Sequence, residues 1–126
     1  MSRVKLAAAL FWAFVEGDDE TVQHLCAPDL QAIQNGGAPM NLATLLMFSA
    51  AVRSVVKDFR YENPIRSETA DGFVEEHDVC GTLPDGTELR FSACVVATVS
   101  ESKITQLREY FDSAAVASLA AHLGQA

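Results

Sequence analysis

The residues of this chain that could do chemistry are acidic side chains set at strand spacing among apolar ones. In residues 72–83, GFVEEHDVCGTL, alternation separates Val74, Glu76, Asp78 and Cys80 from Phe73, Glu75, His77 and Val79. One of these faces looks inward, and alternation alone leaves open which. In residues 103–111, KITQLREYF, Glu109 falls on the same side as Leu107 and Phe111, opposite Gln106, Arg108 and Tyr110. In residues 87–99, TELRFSACVVATV, the candidates for the inside are Leu89, Phe91, Ala93, Val95 and Val99. With Glu76 and Asp78 turned inward beside Phe91, Ala93 and Glu109, three carboxyl groups share one largely apolar cavity. Desolvation and mutual repulsion then raise the pKa of at least one of them, which suits a general acid, while an ionised neighbour serves as general base. The expected chemistry is proton shuttling between Glu109 and Asp78, with Glu76 tuning them. His77, opposite Asp78 in the alternation, is expected on the outer sheet surface.

The elements that must position these residues follow from periodicity and caps. Val4 to Glu16 is apolar nearly all round and predicts a helix covered on most sides, ended by Gly17. Asp18 or Asp19 can cap a short second helix that stops before Pro28. A short strand, LQAIQN, leads into the GGAP loop, and a third helix starts after Asn41 with Leu42, Leu45, Leu46, Ser49, Val52 and Val56 at helical spacing. Four extended segments follow, near 59–67, 73–83, 87–99 and 103–111, with LPDGT as the turn between the second and third. A small helix capped by Asp112 or Ser113 and ended by Gly124 closes the chain. This is an α+β arrangement: helices on one face of a strongly curved antiparallel sheet, enclosing a cone, in one domain over residues 1–126.

The totals limit the function classes. A formal net charge of −8 with no basic cluster argues against nucleic acid or an anionic membrane surface as partner. The apolar run from Leu6 to Val15 is too short to span a bilayer, and it passes straight into EGDDE without the small residues of a leader cleavage site. The expected compartment is cytoplasmic. Cys26, Cys80 and Cys94 are widely spaced and odd in number, and His24, His77 and His122 are scattered, so neither a disulfide framework nor a metal site is expected. No cofactor is called for. On the outer sheet face, Ser92, Cys94, Val96 and His77 form a patch apolar enough to pair with a second copy, which predicts a homodimer.

The stretch LPDGTELRFSACVVATVSESKITQLREYFD, followed by AAVASLAAHLG, resembles the C-terminal half of the SnoaL-like branch of the nuclear transport factor 2-like superfamily. The Gly17–Asp18 turn before Ala27–Asp29 resembles its N-terminal half. The resemblance implies a cone-shaped α+β barrel that hosts ketosteroid isomerases, polyketide cyclases, dehydratases, hydrolases and non-catalytic binding proteins. Compared with limonene-1,2-epoxide hydrolases, Asp78 matches one catalytic aspartate, Glu109 stands at the other, and Asn35 matches the water-holding asparagine. Glu76 replaces an arginine and Ile33 replaces a tyrosine of that pattern, and a glutamate for an arginine reverses the local electrostatics. The expectation is an enzyme acting on a small hydrophobic molecule, with Asp78, Glu109 and Glu76 catalytic and with Asn35, Ile33, Phe91, Ala93, Val95, Cys80 and Phe111 around the substrate. The alternative is a dimeric ligand-binding or accessory domain without turnover.

Overall fold

Ser2 starts the first helix, accepting a hydrogen bond from the Lys5 backbone N–H, and α1 (Arg3–Glu16) runs until Gly17 turns left-handed at φ 70°. In the computed structural model, which describes residues 1–124, α1 buries Leu6, Leu10, Phe11 and Phe14. It is not covered all round, because Trp12 is 67% exposed: the helix lays one broad face on the sheet and leaves the other to solvent. Asp18 caps α2 (Asp19–Leu25) through the Thr21 N–H. The chain passes directly into β1 (Cys26–Gln34), which begins earlier than LQAIQN; Pro28 is tolerated because β1 is an edge strand. Asn41 caps α3 (Leu42–Val55), its side chain accepting from the Thr44 N–H at 2.8 Å.

Four long strands follow, β2 (Lys57–Glu68), β3 (Gly72–Thr82), β4 (Glu88–Ser100) and β5 (Lys103–Phe111). Their order in the sheet is β1-β5-β4-β3-β2, antiparallel throughout except that β1 lies parallel to β5. In β2 the register shifts twice, where Asp58 (φ 55°) and Asn63 (φ 56°) adopt left-handed backbone, and such bulges bend an edge strand. The β4–β5 hairpin closes through Glu101 and Ser102, both at positive φ, as a two-residue turn of that hand requires. Asp112 does not cap the last helix. Its Oδ1 accepts from the Ala114 N–H in a run of turns, and α4 (Ala117–Leu123) starts later, at Val116, without a side-chain cap.

Two apolar clusters result. The larger joins α1, β1, α3 and the sheet around Leu10, Leu30, Phe73 and Ile104; the smaller joins the end of α3, the β3–β4 turn and α4 around Val52, Val56, Leu83, Leu89 and Leu119. Among the described residues no helix is long and apolar enough to cross a membrane.

Candidate active site

Between the two clusters lies a cavity of about 280 Å³. Six of the seven phenylalanines line it, all but Phe73, together with Tyr61 and a larger number of aliphatic side chains, so its wall is mainly apolar and rich in aromatic rings. The polar side chains on the wall are Gln34, Ser49, Tyr61 and Glu109. Among the described residues no lysine or arginine lines it, which makes it a poor host for an anion and a good one for an apolar molecule with a few hydrogen-bonding atoms.

β4 and β5 face this cavity in the phase expected from alternation: Phe91, Val95, Leu107, Glu109 and Phe111 all line it. β3 has the opposite phase to the one expected, in which Glu76 and Asp78 turn inward. Phe73, Glu75, His77 and Val79 point inward, with Glu75 fully buried and His77 2% exposed. Glu76 is exposed, and Asp78 lies on the outer face, where it accepts from Asn63 Nδ2 at 3.0 Å, Ser92 Oγ at 3.0 Å and Arg90 Nη1 at 3.1 Å. The reason is the pairing: Val79 stands opposite the inward Phe91, and Asp78 opposite the outward Ser92. Three inward carboxyls formed by Glu76, Asp78 and Glu109 therefore do not exist. His77, expected outside, is inside.

The substrate-binding expectations divide in the same way. Ile33, Phe91, Val95 and Phe111 line the cavity. Ala93 is on the inner face but buried beneath its neighbours, 4% exposed and off the cavity wall. Cys80 lies on the outer face, paired with Arg60 and Arg90, and is buried beneath that surface. Asn35 does not reach the cavity either. At φ 49° it clips the end of β1 to β5, donating Nδ2–H to the Phe111 carbonyl and accepting the Phe111 N–H through Oδ1, both at 3.0 Å. It thereby holds Phe111 and, through its own N–H on the Glu109 carbonyl at 2.8 Å, Glu109 in place.

The inward groups fall into one row that crosses all five strands: Arg66 on β2, Glu75 on β3, Val95 on β4, Glu109 on β5 and Gln34 on β1. Arg66 Nε donates to Glu75 Oε1, and the other Glu75 oxygen meets His77 Nδ1 at 2.6 Å. At the other end Gln34 Nε2 donates to Glu109 Oε1 at 3.2 Å. The His77 ring packs between Tyr61, at a centroid distance of 4.2 Å, and Phe11, at 4.9 Å. Its Nε2 is buried with no hydrogen-bond partner among the described residues.

Glu109 is half-buried by accessible surface only because one side opens on the cavity; protein encloses it otherwise. That burial raises its carboxyl above the ordinary range, against the opposing influence of His77 and of the Gln34 hydrogen bond. Burial, reinforced by the charges of Glu109 and Glu75, pushes the Tyr61 phenol far up, so it remains a hydrogen-bond donor. Arg53, whose charge opposes that rise, is occupied by the Phe14 carbonyl at 3.0 Å and Ser49 Oγ at 2.7 Å. A buried carboxyl of raised pKa and a protonated phenol on the wall of one apolar cavity can exchange a proton with a ligand and hold the oxygen on which charge develops.

No protein-family model matches the chain, and no curated protein matches it. Solved structures do. TerC, co-crystallised with polyporic acid, is 22% identical, with 93% of this chain and 96% of TerC covered at a TM-score of 0.79. A proposed polyketide cyclase from Pseudomonas putida is 20% identical, over 89% and 92% of the two chains, at 0.78. A protein of ketosteroid isomerase-like fold from Catenulispora acidiphila, in complex with trimethylamine, is 14% identical over 90% of each chain, also at 0.78. At these identities the likeness is one of fold.

Proposed function

We propose that this chain, whose fold is the nuclear transport factor 2-like α+β fold shared with proteins described as polyketide cyclases, catalyses cofactor-independent proton transfer on a small uncharged carbonyl compound. The observation that carries this reading is Glu109: a carboxyl set in the wall of an apolar cavity, with its pKa raised by burial. A carboxylate desolvated in this way is a stronger base than one in water. Glu109 takes a proton from the carbon beside the carbonyl, and the Tyr61 hydroxyl donates to the oxygen that becomes negative. Return of the proton to a different carbon gives isomerisation; attack of the carbanion on a second carbonyl of the same molecule gives cyclisation. Glu76 and Asp78 have no part in this chemistry.

The test uses β-tetralone, an uncharged bicyclic ketone with acidic C–H groups, in deuterated buffer. Proton NMR is expected to show exchange at those carbons faster with the protein than without it, and Glu109→Gln is expected to abolish the acceleration. A ligand-binding domain without turnover is the second reading, supported by the same apolar wall; saturable binding with no exchange from any ketone in a panel would select it.

We also propose that the chain forms a homodimer through the outer sheet face, where Ile65 and Tyr110 are exposed and Cys94 and Val96 half-buried. Light scattering at micromolar concentration is expected to give twice the chain mass, and a monomer mass would end this proposal.

A further inference from the structure

The exposed aromatic Trp12 and the three free thiols carry no ligand argument. The charged cluster of Arg60, Glu62, Asp78 and Arg90 on the outer face is fully engaged with itself. On the cavity wall, Ser49 Oγ is taken up by Arg53, and proton transfer uses Glu109 and Tyr61. That leaves Gln34, half-buried on the same wall. Its Nε2 lies 3.2 Å from Glu109 Oε1, and among the described residues no donor engages its own Oε1.

We propose that Gln34 both holds Glu109 and selects its ligand, accepting through Oε1 a hydroxyl beside the carbon from which Glu109 takes a proton, so that the site is built for hydroxy ketones. This rests on the reading of Glu109 as the reacting carboxyl. An ionised carboxylate only accepts hydrogen bonds, so the amide must turn its N–H toward Glu109 and its oxygen away. Nε2 and Oε1 are attached to one carbon, and a ligand group touching Oε1 is therefore a neighbour of the carboxyl.

The backbone beneath this amide is fixed from both sides. Gln34 is paired in parallel register with Glu109, and the Asn35 N–H reaches the Glu109 carbonyl at 2.8 Å. The Gln34 carbonyl accepts from the Gly37 N–H at 2.9 Å, while Ala32 and Met40 exchange two backbone bonds, at 2.9 and 2.7 Å, that close the loop between them. Little ordering of the strand is then left for a ligand to bring about. Glu109 Oε2 and Gln34 Oε1 make their side of the cavity rich in acceptors, whereas Tyr61 supplies a donor. Neighbouring acceptor oxygens repel the lone pairs of a ligand carbonyl and attract an O–H. The ketone is thereby directed to Tyr61 and the hydroxyl to Gln34. With Oε1 of Glu109 held by the amide, Oε2 is the oxygen left to take the proton. Gln34 is thus a positioning and specificity residue.

The experiment compares two probes on the full chain. In 8-hydroxy-β-tetralone the hydroxyl lies beside the acidic carbon next to the aromatic ring; 8-methoxy-β-tetralone keeps the oxygen and lacks the donor. Calorimetry is expected to show the native protein binding the hydroxy compound about tenfold more tightly. Gln34→Met, of similar length without the amide, is expected to cut that preference to less than about twofold. Equal affinities in the native protein, binding of neither probe, or a preference that survives Gln34→Met overturns the proposal. If the variant does not fold, the native comparison decides alone. The pH profile of β-tetralone exchange then separates positioning from support of the fold. Gln34→Met removes a hydrogen bond that favours the charged carboxyl, so the protein-dependent rate should rise at higher pH than in the native chain. The groups that act with Glu109 are untouched by this change: His77 of β3, Tyr61 of β2, and the Glu75–Arg66 pair beyond Val95. Among the described residues α1, α3, α4, β1 and β4 present only uncharged side chains to the cavity. An unmoved profile overturns the proposal as well. Binding is read without turnover, so its failure leaves the role of Glu109 standing, whereas unimpaired ketone exchange by Glu109→Gln removes the reading on which this one rests.

Discussion

Glu75 and Glu109 stand in the same cross-strand row on either side of Val95, one held by an arginine and the other by a glutamine. Their partners differ in charge. Glu75 has a full positive charge on one oxygen and an imidazole on the other, whereas Glu109 has a neutral amide and an open side toward the cavity. One carboxyl of this sheet face is thereby tied into an ion pair, while the other is left facing the cavity.

Glu109→Gln should stabilise the fold at neutral pH. Its carboxyl is raised in the folded state, so folding binds protons to it. The favourable contribution is fully present below the unfolded pKa of about 4.3 and is lost as pH rises through the folded value. Urea titrations at pH 4 and pH 7 should show no gain for the variant at the lower pH and a clear gain at the higher. Destabilisation at pH 7 would mean that the carboxylate holds a structural partner.

Removing Arg66 strands a fully buried carboxylate. Arg66→Met should cost about 3 kcal/mol, since a buried charge then keeps only its histidine contact. Adding Glu75→Gln should recover part of that loss, giving a coupling of about 1 kcal/mol or more in a double-mutant cycle. Additive losses would show that the two side chains do not depend on each other.

Phe73 and Phe91 test the line between filled core and open cavity. Phe73 is wholly buried, while Phe91 lines the cavity and is half-buried. Phe73→Ala should destabilise by about 3 to 5 kcal/mol and Phe91→Ala by clearly less, because its site already lacks neighbours. Equal losses in chemical denaturation would mean that the cavity is closed in solution.

Asp78 should matter to acid stability and not to turnover. Its hydrogen bonds from Asn63 and Ser92, with the Arg90 charge, hold its carboxyl below the usual range. Its contribution is therefore present above the unfolded pKa of about 3.9 and lost as pH falls through the lower folded value. Asp78→Asn should shift the acid-unfolding midpoint upward, followed by circular dichroism, and leave ketone exchange unchanged. A fall in exchange would return Asp78 to the site.

The helices were legible because their ends carry chemistry: Asp18, Asn41 and Gly17 each do what their residue type does best at a cap. The inward phase of β4 and β5 was legible too, since Phe91, Val95, Leu107 and Phe111 leave no doubt which face is apolar. Alternation cannot choose the phase of β3, where each face offers two apolar and two ionisable residues. The turn could have chosen it. Leu83 N–H bonds to the Thr87 carbonyl around Pro84–Gly86, and this pairing puts odd residues opposite odd ones, so an inward Phe91 requires an inward Val79, His77 and Glu75. Gly72 locks the same register, because a Cβ there would lie 1.8 Å from the Ala97 carbonyl oxygen. The contact from Arg66 to Glu75 was hidden by the β2 bulges, which no spacing rule reveals.

The gap between the two apolar clusters makes a bound molecule part of the interior. α4 buries only Leu119 among its own residues, yet Val116, Leu119, Ala120 and Leu123 all look into the cavity, so an occupant joins the terminal helix to the aromatic wall. Folding and occupancy are then linked equilibria. A compound present at 100 times its dissociation constant should add about 2.7 kcal/mol to the unfolding free energy. The melting curve therefore becomes a detector: a library of uncharged ring compounds can be ranked by the heat each one lets the protein withstand, before any reaction has been identified.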